Sequence, residues 1–133
     1  MTTTTTVTRL VTRLVISTAL FLSLFVAQNA IAGSDAIKTM AGIMSQLNHY
    51  PGAAEKETLN KLINNANTTD AEKTLATAMI NLQHSATAAD KKKLSKIMSD
   101  SSAPGNARDL ATIIHNLSHQ PSSSDMQKLK GMM

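Results

Sequence analysis

Histidine is the residue type in this sequence that is best placed, by its regular spacing, to bind a metal ion. His49, His84 and His119 recur at intervals of 35 residues. Imidazole is the commonest metal ligand in proteins, and a compact arrangement of the chain could bring three equivalent rings to one ion. His115 adds a second pattern, because it lies four residues before His119 and such residues face the same side of a helix. The sequence therefore offers His49, His84, His115 and His119 as candidate ligands of copper, zinc or nickel.

The same histidine column also has a structural interpretation, which the sequence favours. Each histidine follows the last leucine of an amphipathic segment by two residues, as His49 follows Leu47. A histidine at the carboxyl end of a helix can donate to unpaired carbonyls and, when protonated, interact favourably with the helix dipole. In an open stack of repeats, equivalent histidines would lie apart by a helix pair, with roughly 10 Å for each helix diameter. That separation is too large for one ion.

Methionine is the second residue type with ligand chemistry, since thioethers suit reduced copper. Residues 33–133 contain seven methionines, and most fall on apolar stripes, where methionine is ordinary core filler. The carboxyl-terminal group is the exception, because an adaptable apolar patch there would suit a protein partner or a second copy of the chain. The residues predicted to bind a partner are Met126, Leu129, Met132 and Met133.

Catalysis and nucleic-acid binding have little support. The chain has no cysteine, and no serine lies in a strand-to-helix elbow of the hydrolase type. Glu55 and Glu57 are two residues apart on one helix and point away from each other. Without the first 32 residues the chain has 11 basic and 9 acidic residues, a net charge of +2 that is too mild for a dedicated nucleic-acid protein. We expect a non-enzymatic protein without a cofactor, unless the histidines bind metal.

The histidines and methionines lie in three segments of related sequence. They cover Lys38–Ile63, Lys73–Met98 and Arg108–Met133. Four columns are identical in all three segments, and in the first they are Ala41, Leu47, His49 and Leu59. A fixed period of this length is typical of repeat arrays. Residues 33–133 are predicted to form a single domain of three tandem repeats, at 36–70, 71–105 and 106–133.

Each repeat is predicted to be a helical hairpin. Apolar residues at intervals of three and four indicate a first helix, for which Ser34 is the predicted N-cap in the first repeat. Capping signals at Thr87-x-x-Asp90 and Ser122-x-x-Asp125 indicate the start of a second helix. Thr69-x-x-Glu72 and Asn106-x-x-Asp109 indicate the start of the first helix in the second and third repeats. No run alternates with period two, so we expect no strand. The predicted fold is all-α, with six short helices in a compact bundle or short α-solenoid.

The amino terminus has the form of a secretory signal peptide. Arg9 and Arg13 precede an apolar run over 14–27, and Ala30-Ile31-Ala32 matches a cleavage site before Gly33. The run is shorter than the roughly 20 residues that span a bilayer, so no stable membrane anchor should remain after cleavage. We therefore expect a signal peptide at 1–32 and an exported protein, either periplasmic or secreted.

These features favour a protein that works by protein-protein interaction. The scaffold, the mild charge, the lack of a catalytic constellation and the apolar carboxyl end fit an inhibitor, an immunity-type protein, a chaperone or an adaptor of the cell envelope. The alternative is an exported protein that binds or buffers metal through its histidines and methionines.

Overall fold

The computed structural model of this chain describes residues 29–133, with side chains from residue 35 onward. The described part is all-helical. Its six helices are α1 (Asn29–Ser45), α2 (Ala53–Asn64), α3 (Asp70–Ile80), α4 (Ala88–Ser99), α5 (Gly105–Asn116) and α6 (Ser123–Met132). No strand forms within residues 29–133, where only two isolated pairs of bridged residues occur. The predicted helical class and the number of helices are therefore confirmed for this part.

Hydroxyl caps begin three of these helices, as the sequence predicts. The Thr69 hydroxyl accepts a hydrogen bond from the backbone of Glu72 (3.3 Å), and the Glu72 carboxylate accepts one from the Thr69 backbone (2.9 Å). Ser122 starts α6 with the same reciprocal pair, and the Thr87 hydroxyl caps α4. These bonds satisfy backbone donors that the first helical turn leaves unpaired. Helices α3, α4 and α6 therefore begin where the capping residues of the sequence predict.

Two predicted starts are wrong. Residues from Asn29 onward are already helical in α1, so the helix does not start after Ser34, and the alanines at 30 and 32 favour helix there. Helix α5 begins at Gly105, with Pro104 as its N-cap at a φ of −53°. The fixed φ of proline prepares the chain for helix one residue earlier than an Asn106 cap would. The side chain of Asn106 instead accepts a bond from the neighbouring Ala107 backbone.

The core is built mainly from α1, α3 and α5. Helices α1, α3 and α5 contact one another at the centre, and they pack respectively against α6, α2 and α4. The short helices α2, α4 and α6 each contribute a leucine with no exposed surface, respectively Leu59, Leu94 and Leu129. Full burial of a leucine side chain contributes about 1.5 to 3 kcal/mol. These leucines are the packing anchors of helices too short to be stable alone.

The first and last of the described helices are in contact. Helix α6 packs against α1, just as α2 packs against α3 and α4 against α5. Helices α1, α3 and α5 end near residues 45, 80 and 116, and the chain reverses there into the next helix. The turns at 46–52, 81–87 and 117–122 therefore gather at one end of the helices, and the connections before α3 and α5 lie a helix length away.

The predicted signal peptide lies almost wholly outside the described residues, which begin at Asn29. Its proposed cleavage point, between Ala32 and Gly33, falls within α1. None of the helices in the described part combines the length and the apolar character that crossing a bilayer requires.

Candidate functional site

The three equivalent histidines adopt a backbone conformation that is unusual for them. His49, His84 and His119 have φ values of 74°, 69° and 69°, and no other non-glycine residue in the described part has a positive φ. L-residues rarely occupy this region, and holding one there costs about 1 to 3 kcal/mol. Such a conformation persists only where the surrounding structure imposes it, and it occurs frequently at functional sites.

Very tight turns produce this conformation. The backbone N–H of Tyr50 donates to the carbonyl of Asn48 (3.0 Å), and that of Gln120 donates to Ser118 (2.8 Å). A bond between residues two apart around a positive φ is the strained form of the γ-turn. At His84 the bond across the turn runs in the opposite direction, since the N–H of Gln83 donates to the carbonyl of Ser85 (3.3 Å). In each turn the histidine is therefore the central residue and projects its ring from the bend.

Backbone hydrogen bonds join the three turns to one another. The N–H of His84 donates to the carbonyl of His49 (3.2 Å), and the N–H of His119 donates to the carbonyl of His84 (2.7 Å). The side chain of Gln120 reaches back to the side chain of Asn48 at 3.4 Å. The three histidines are thus held together by their own main chain, from parts of the sequence 35 residues apart.

The three imidazole rings form one cluster, which we name the histidine cluster: His49, His84 and His119. The ring centroids are 5.2 Å apart for His49 and His84, 5.6 Å for His49 and His119, and 4.9 Å for His84 and His119. Two of the pairs are nearly perpendicular, with interplanar angles of 87° and 84°. His49 is half-buried, whereas His84 and His119 are exposed. The cluster is therefore a surface feature that solvent and ligands can reach.

The hydrogen bonds of these rings differ from those of a helix-end cap. Nδ1 of His49 lies 2.7 Å from the amide oxygen of Asn48, and Nδ1 of His119 lies 3.5 Å from the Ser118 hydroxyl. These partners are side chains of the turns, and the histidines lie beyond the helix ends. The ring contacts of His49 and His119 are therefore with neighbouring side chains, and the structural interpretation of the column as helix-end capping stays a prediction.

His115 does not belong to the cluster. It lies on α5, and its Nδ1 is 2.9 Å from the side chain of Asn116. Of the four candidate metal ligands, the fold brings together three and leaves His115 apart. Within the described residues, no set of three or more histidine, aspartate or glutamate side chains is already arranged around a metal position. Metal binding through His49, His84, His115 and His119 stays a prediction.

The four residues predicted to bind a partner at the carboxyl end have different environments. Leu129 has no exposed surface, and Met126 and Met132 are partly buried against the core. Met133 is 54% exposed, and its sulfur is 3.9 Å from the position that a Cβ on Gly42 would occupy. Contact of this end with α1 thus covers most of the predicted apolar patch and leaves Met133 as its exposed member.

Sequence reasoning missed the uncharged surroundings of the histidine cluster. Three nine-residue segments, 46–54, 81–89 and 116–124, contain no aspartate, glutamate, lysine or arginine. Tyr50, which is 58% exposed, lies in the first of them. The signal was available in the sequence as a gap in charge that recurs every 35 residues.

No family model, curated protein or solved structure matches this chain.

Proposed function

We propose that the protein is an exported, non-enzymatic helical protein that acts by binding another protein. We further propose that it binds through the turn surface, which we define as the exposed residues at the centres of the three turns, within 48–50, 83–85 and 118–120. They are Asn48, Tyr50, Gln83, His84, Ser85, Ser118, His119 and Gln120. The observation that carries this proposal is that the turn surface is uncharged and held in place by backbone hydrogen bonds between the turns.

The scaffold in this proposal is a set of three tandem hairpins closed into a bundle. Equivalent leucines anchor the second helices, and the contact of α6 with α1 is the counterpart of the contacts of α2 with α3 and of α4 with α5. An open stack would leave its first and last helices apart. Closure brings the three turns to one end, so that one partner surface can contact all three.

The chemistry of the turn surface suits recognition of protein. The cores of protein interfaces are depleted of charged residues and enriched in tyrosine, and paratopes rely on tyrosine, serine and asparagine. Tyr50 supplies an exposed aromatic ring, while Gln83, Ser118 and Gln120 supply amide and hydroxyl groups for hydrogen bonds. Because the turns are preformed, little conformational freedom is lost on binding. We propose a partner surface with few charges that presents backbone or amide groups.

Export is part of the proposal and is supported by the signal-peptide pattern of residues 1–32. An exported binding protein of this kind would act as an inhibitor, an immunity-type protein, a chaperone or an adaptor, in the periplasm or outside the cell. The carboxyl-terminal patch is a smaller second candidate for contact with a partner or another copy, now centred on Met133 because Leu129 is buried.

Partner capture with matched charge variants tests the proposal. The full chain would be expressed with a tag inserted after Ala32, and proteins captured from envelope and secreted fractions would be quantified. Ser85→Glu puts a charge into the turn surface, whereas Ser95→Glu puts the same charge on an exposed position of α4. We expect one stoichiometric partner that is lost with Ser85→Glu and with Tyr50→Ala but retained with Ser95→Glu, because an unpaired charge is unfavourable in an interface core.

Two outcomes would contradict the proposal that the protein binds a partner through the turn surface. Absence of a stoichiometric partner would oppose protein binding as the function. A partner that persists in Tyr50→Ala and Ser85→Glu but is lost in Met133→Ala would move the interface to the carboxyl end. Circular dichroism of each variant must show unchanged helix content before capture is compared.

A further inference from the structure

We propose that His49, His84 and His119 together form a binding site for a single transition-metal dication, with one nitrogen from each ring as ligand. This goes beyond partner binding and does not depend on it. The first argument is the distance between rings. Three imidazoles bound to one tetrahedral ion at about 2.0 to 2.1 Å have centroids roughly 5 Å apart. The observed separations of 4.9, 5.2 and 5.6 Å match that value.

The second argument is the way in which the main chain positions the rings. A turn that only needed a positive φ would be formed without strain by glycine, and asparagine also tolerates it. All three turns nevertheless have histidine at this point. The hydrogen bonds between His49, His84 and His119 fix the three Cα positions relative to one another. The side chain, rather than the backbone, is what distinguishes these positions.

The third argument concerns the ring nitrogens. In the neutral tautomer of His49 that carries its hydrogen on Nδ1, this nitrogen donates to the side-chain oxygen of Asn48, and Nε2 presents its lone pair. Metal-binding histidines commonly donate their other ring nitrogen to an oxygen, which fixes the tautomer and the orientation of the ring. The Ser118 hydroxyl lies near the equivalent atom of His119. The unpaired Nε2 atoms are therefore the ligands that we assign.

The rings must turn before they can bind one ion. Two of the ring pairs are nearly perpendicular, and no metal position is already formed among the described side chains. Rotation of an imidazole about its terminal side-chain torsion is soft, because that torsion has broad minima. His84 and His119 are exposed, so no core packing opposes their rotation.

The ligand set defines the class of ion. Three neutral imidazoles with neither carboxylate nor thiolate suit Cu²⁺, Ni²⁺ or Zn²⁺ and do not suit Ca²⁺ or Mg²⁺, which prefer oxygen. The three segments around the turns contain no lysine or arginine, so no cationic side chain within them opposes a bound dication. Three protein ligands leave a fourth position for water or another small ligand. Cu²⁺ should bind most tightly, following the general order for nitrogen ligands.

Titration of the purified protein with CuCl₂, NiCl₂ and ZnCl₂ tests the site, with calorimetry for affinity and elemental analysis for stoichiometry. The variants are His49→Asn, His84→Asn and His119→Asn, and the matched control is His115→Asn. Asparagine tolerates positive φ, so these changes remove the ligand and retain the turn. We expect one ion per chain with a Kd below about 10 µM for Cu²⁺. Each cluster variant should weaken binding at least about 10-fold, and the control should not change it.

A second measurement uses the unmodified protein. Substoichiometric Cu²⁺ should broaden the ring-proton NMR signals of all three cluster histidines together, before those of His115. Three results would overturn the site: a Kd above about 10 µM for all three ions, cluster variants that bind normally, or equal weakening in His115→Asn. Early broadening of His115 alone would also overturn it. These readouts involve no partner protein, so the metal site and the proposed interface succeed or fail separately.

Discussion

The two ends of the helical bundle reverse the chain by different means. At the turn surface, the chain bends through His49, His84 and His119 at positive φ. At the other end, Asn65 and Asp100 follow α2 and α4 with φ values of −79° and −80°. Their side chains accept bonds from the backbone two residues later, at 2.9 Å in both cases. At the histidine turns the backbone is strained and the side chains are uncharged. At the other end the backbone is unstrained, and hydrogen bonds accepted by asparagine and aspartate side chains form the turns.

This difference indicates which residues are replaceable. In the connecting loops, asparagine and aspartate do the same work, because either side chain can form the turn. In the histidine turns, glycine would adopt the positive φ with the least strain, yet histidine occurs there all three times. A side chain that recurs at a position where the backbone disfavours it is a stronger sign of function than an apolar residue at the end of a helix. Leu129 illustrates the latter case, since packing fully explains it.

The largest expected effect is on the free energy of unfolding, and it distinguishes the buried Leu129 from the exposed Met133 at the carboxyl-terminal end. Leu129→Ala should lower the free energy of unfolding by about 2 to 5 kcal/mol, because it opens a cavity where the side chain has no exposed surface. Met133→Ala should change it by less than about 0.5 kcal/mol, since its side chain is 54% exposed. Urea unfolding followed by circular dichroism measures both. Similar losses from the two variants would contradict the assignment of Leu129 to the core and Met133 to the surface.

A glycine and alanine comparison tests the strain at the histidine turns. Both His84→Gly and His84→Ala remove the ring contacts, but only glycine adopts the φ of 69° without strain. We expect the glycine variant to be more stable than the alanine variant by about 1 kcal/mol. Chemical denaturation of the two variants gives this difference directly.

Ser95, which is exposed in α4, is the control for that comparison. In a regular helix the order reverses, and Ser95→Gly should be less stable than Ser95→Ala by about 0.5 to 1 kcal/mol. Opposite signs at the two positions would establish that the strain is specific to the turns. If glycine were also the less stable residue at 84, the turns would not be strained, and the contrast between the two ends would be lost.

The smallest effect concerns pH at the relaxed end. Hydrogen bonds from the Ser102 hydroxyl and backbone lower the pKa of Asp100 below its ordinary value of 3.8. Because the folded state holds the carboxylate more strongly than the unfolded state, this stabilisation is present above the unfolded pKa. It is lost as the pH falls through the lower folded pKa. Asp100→Asn should retain the turn, as Asn65 does, and remove this pH dependence.

NMR titration of the Asp100 carboxyl carbon, together with thermal melts between about pH 5 and pH 3, checks that prediction. The stability difference between the original chain and Asp100→Asn should shrink as the pH falls through this range. The change will be small because the carboxyl is fully exposed and solvent screens it. A titration midpoint above the ordinary value would reverse the sign and contradict the hydrogen-bond explanation.

Local chemistry in the sequence predicted much of the helical framework. The hydroxyl and carboxylate pairs at Thr69, Thr87 and Ser122 marked helix starts correctly, because capping bonds join residues only three apart. The same reasoning failed at Ser34 and Asn106, where neighbouring residues favoured an earlier start. A local signal can therefore be overridden by its neighbours, as at α5, where the fixed φ of Pro104 prepares an earlier start.

The candidate site was predicted only in part. The 35-residue recurrence identified His49, His84 and His119, but it also admitted His115, whose spacing on one helix looks equally suitable. Periodicity cannot separate an open stack from a closed bundle, because both have the same internal pattern. The positive φ values had only a weak signature in residue type, because histidine is enriched among non-glycine residues at positive φ but such residues are uncommon. The charge gap around the turns was legible in the sequence, but its importance depends on the turns being close together.

Local patterns were enough to predict the helical class and most helix starts, because these depend on bonds and spacings within a few residues, and the 35-residue recurrence identified the leucine and histidine columns. The fold was needed to show that α6 contacts α1, that Leu129 is buried while Met133 is exposed, and that three distant histidines share one surface. Those outcomes depend on how helices far apart in the chain share a core. Such packing is a property of the whole fold, and no local pattern encodes it.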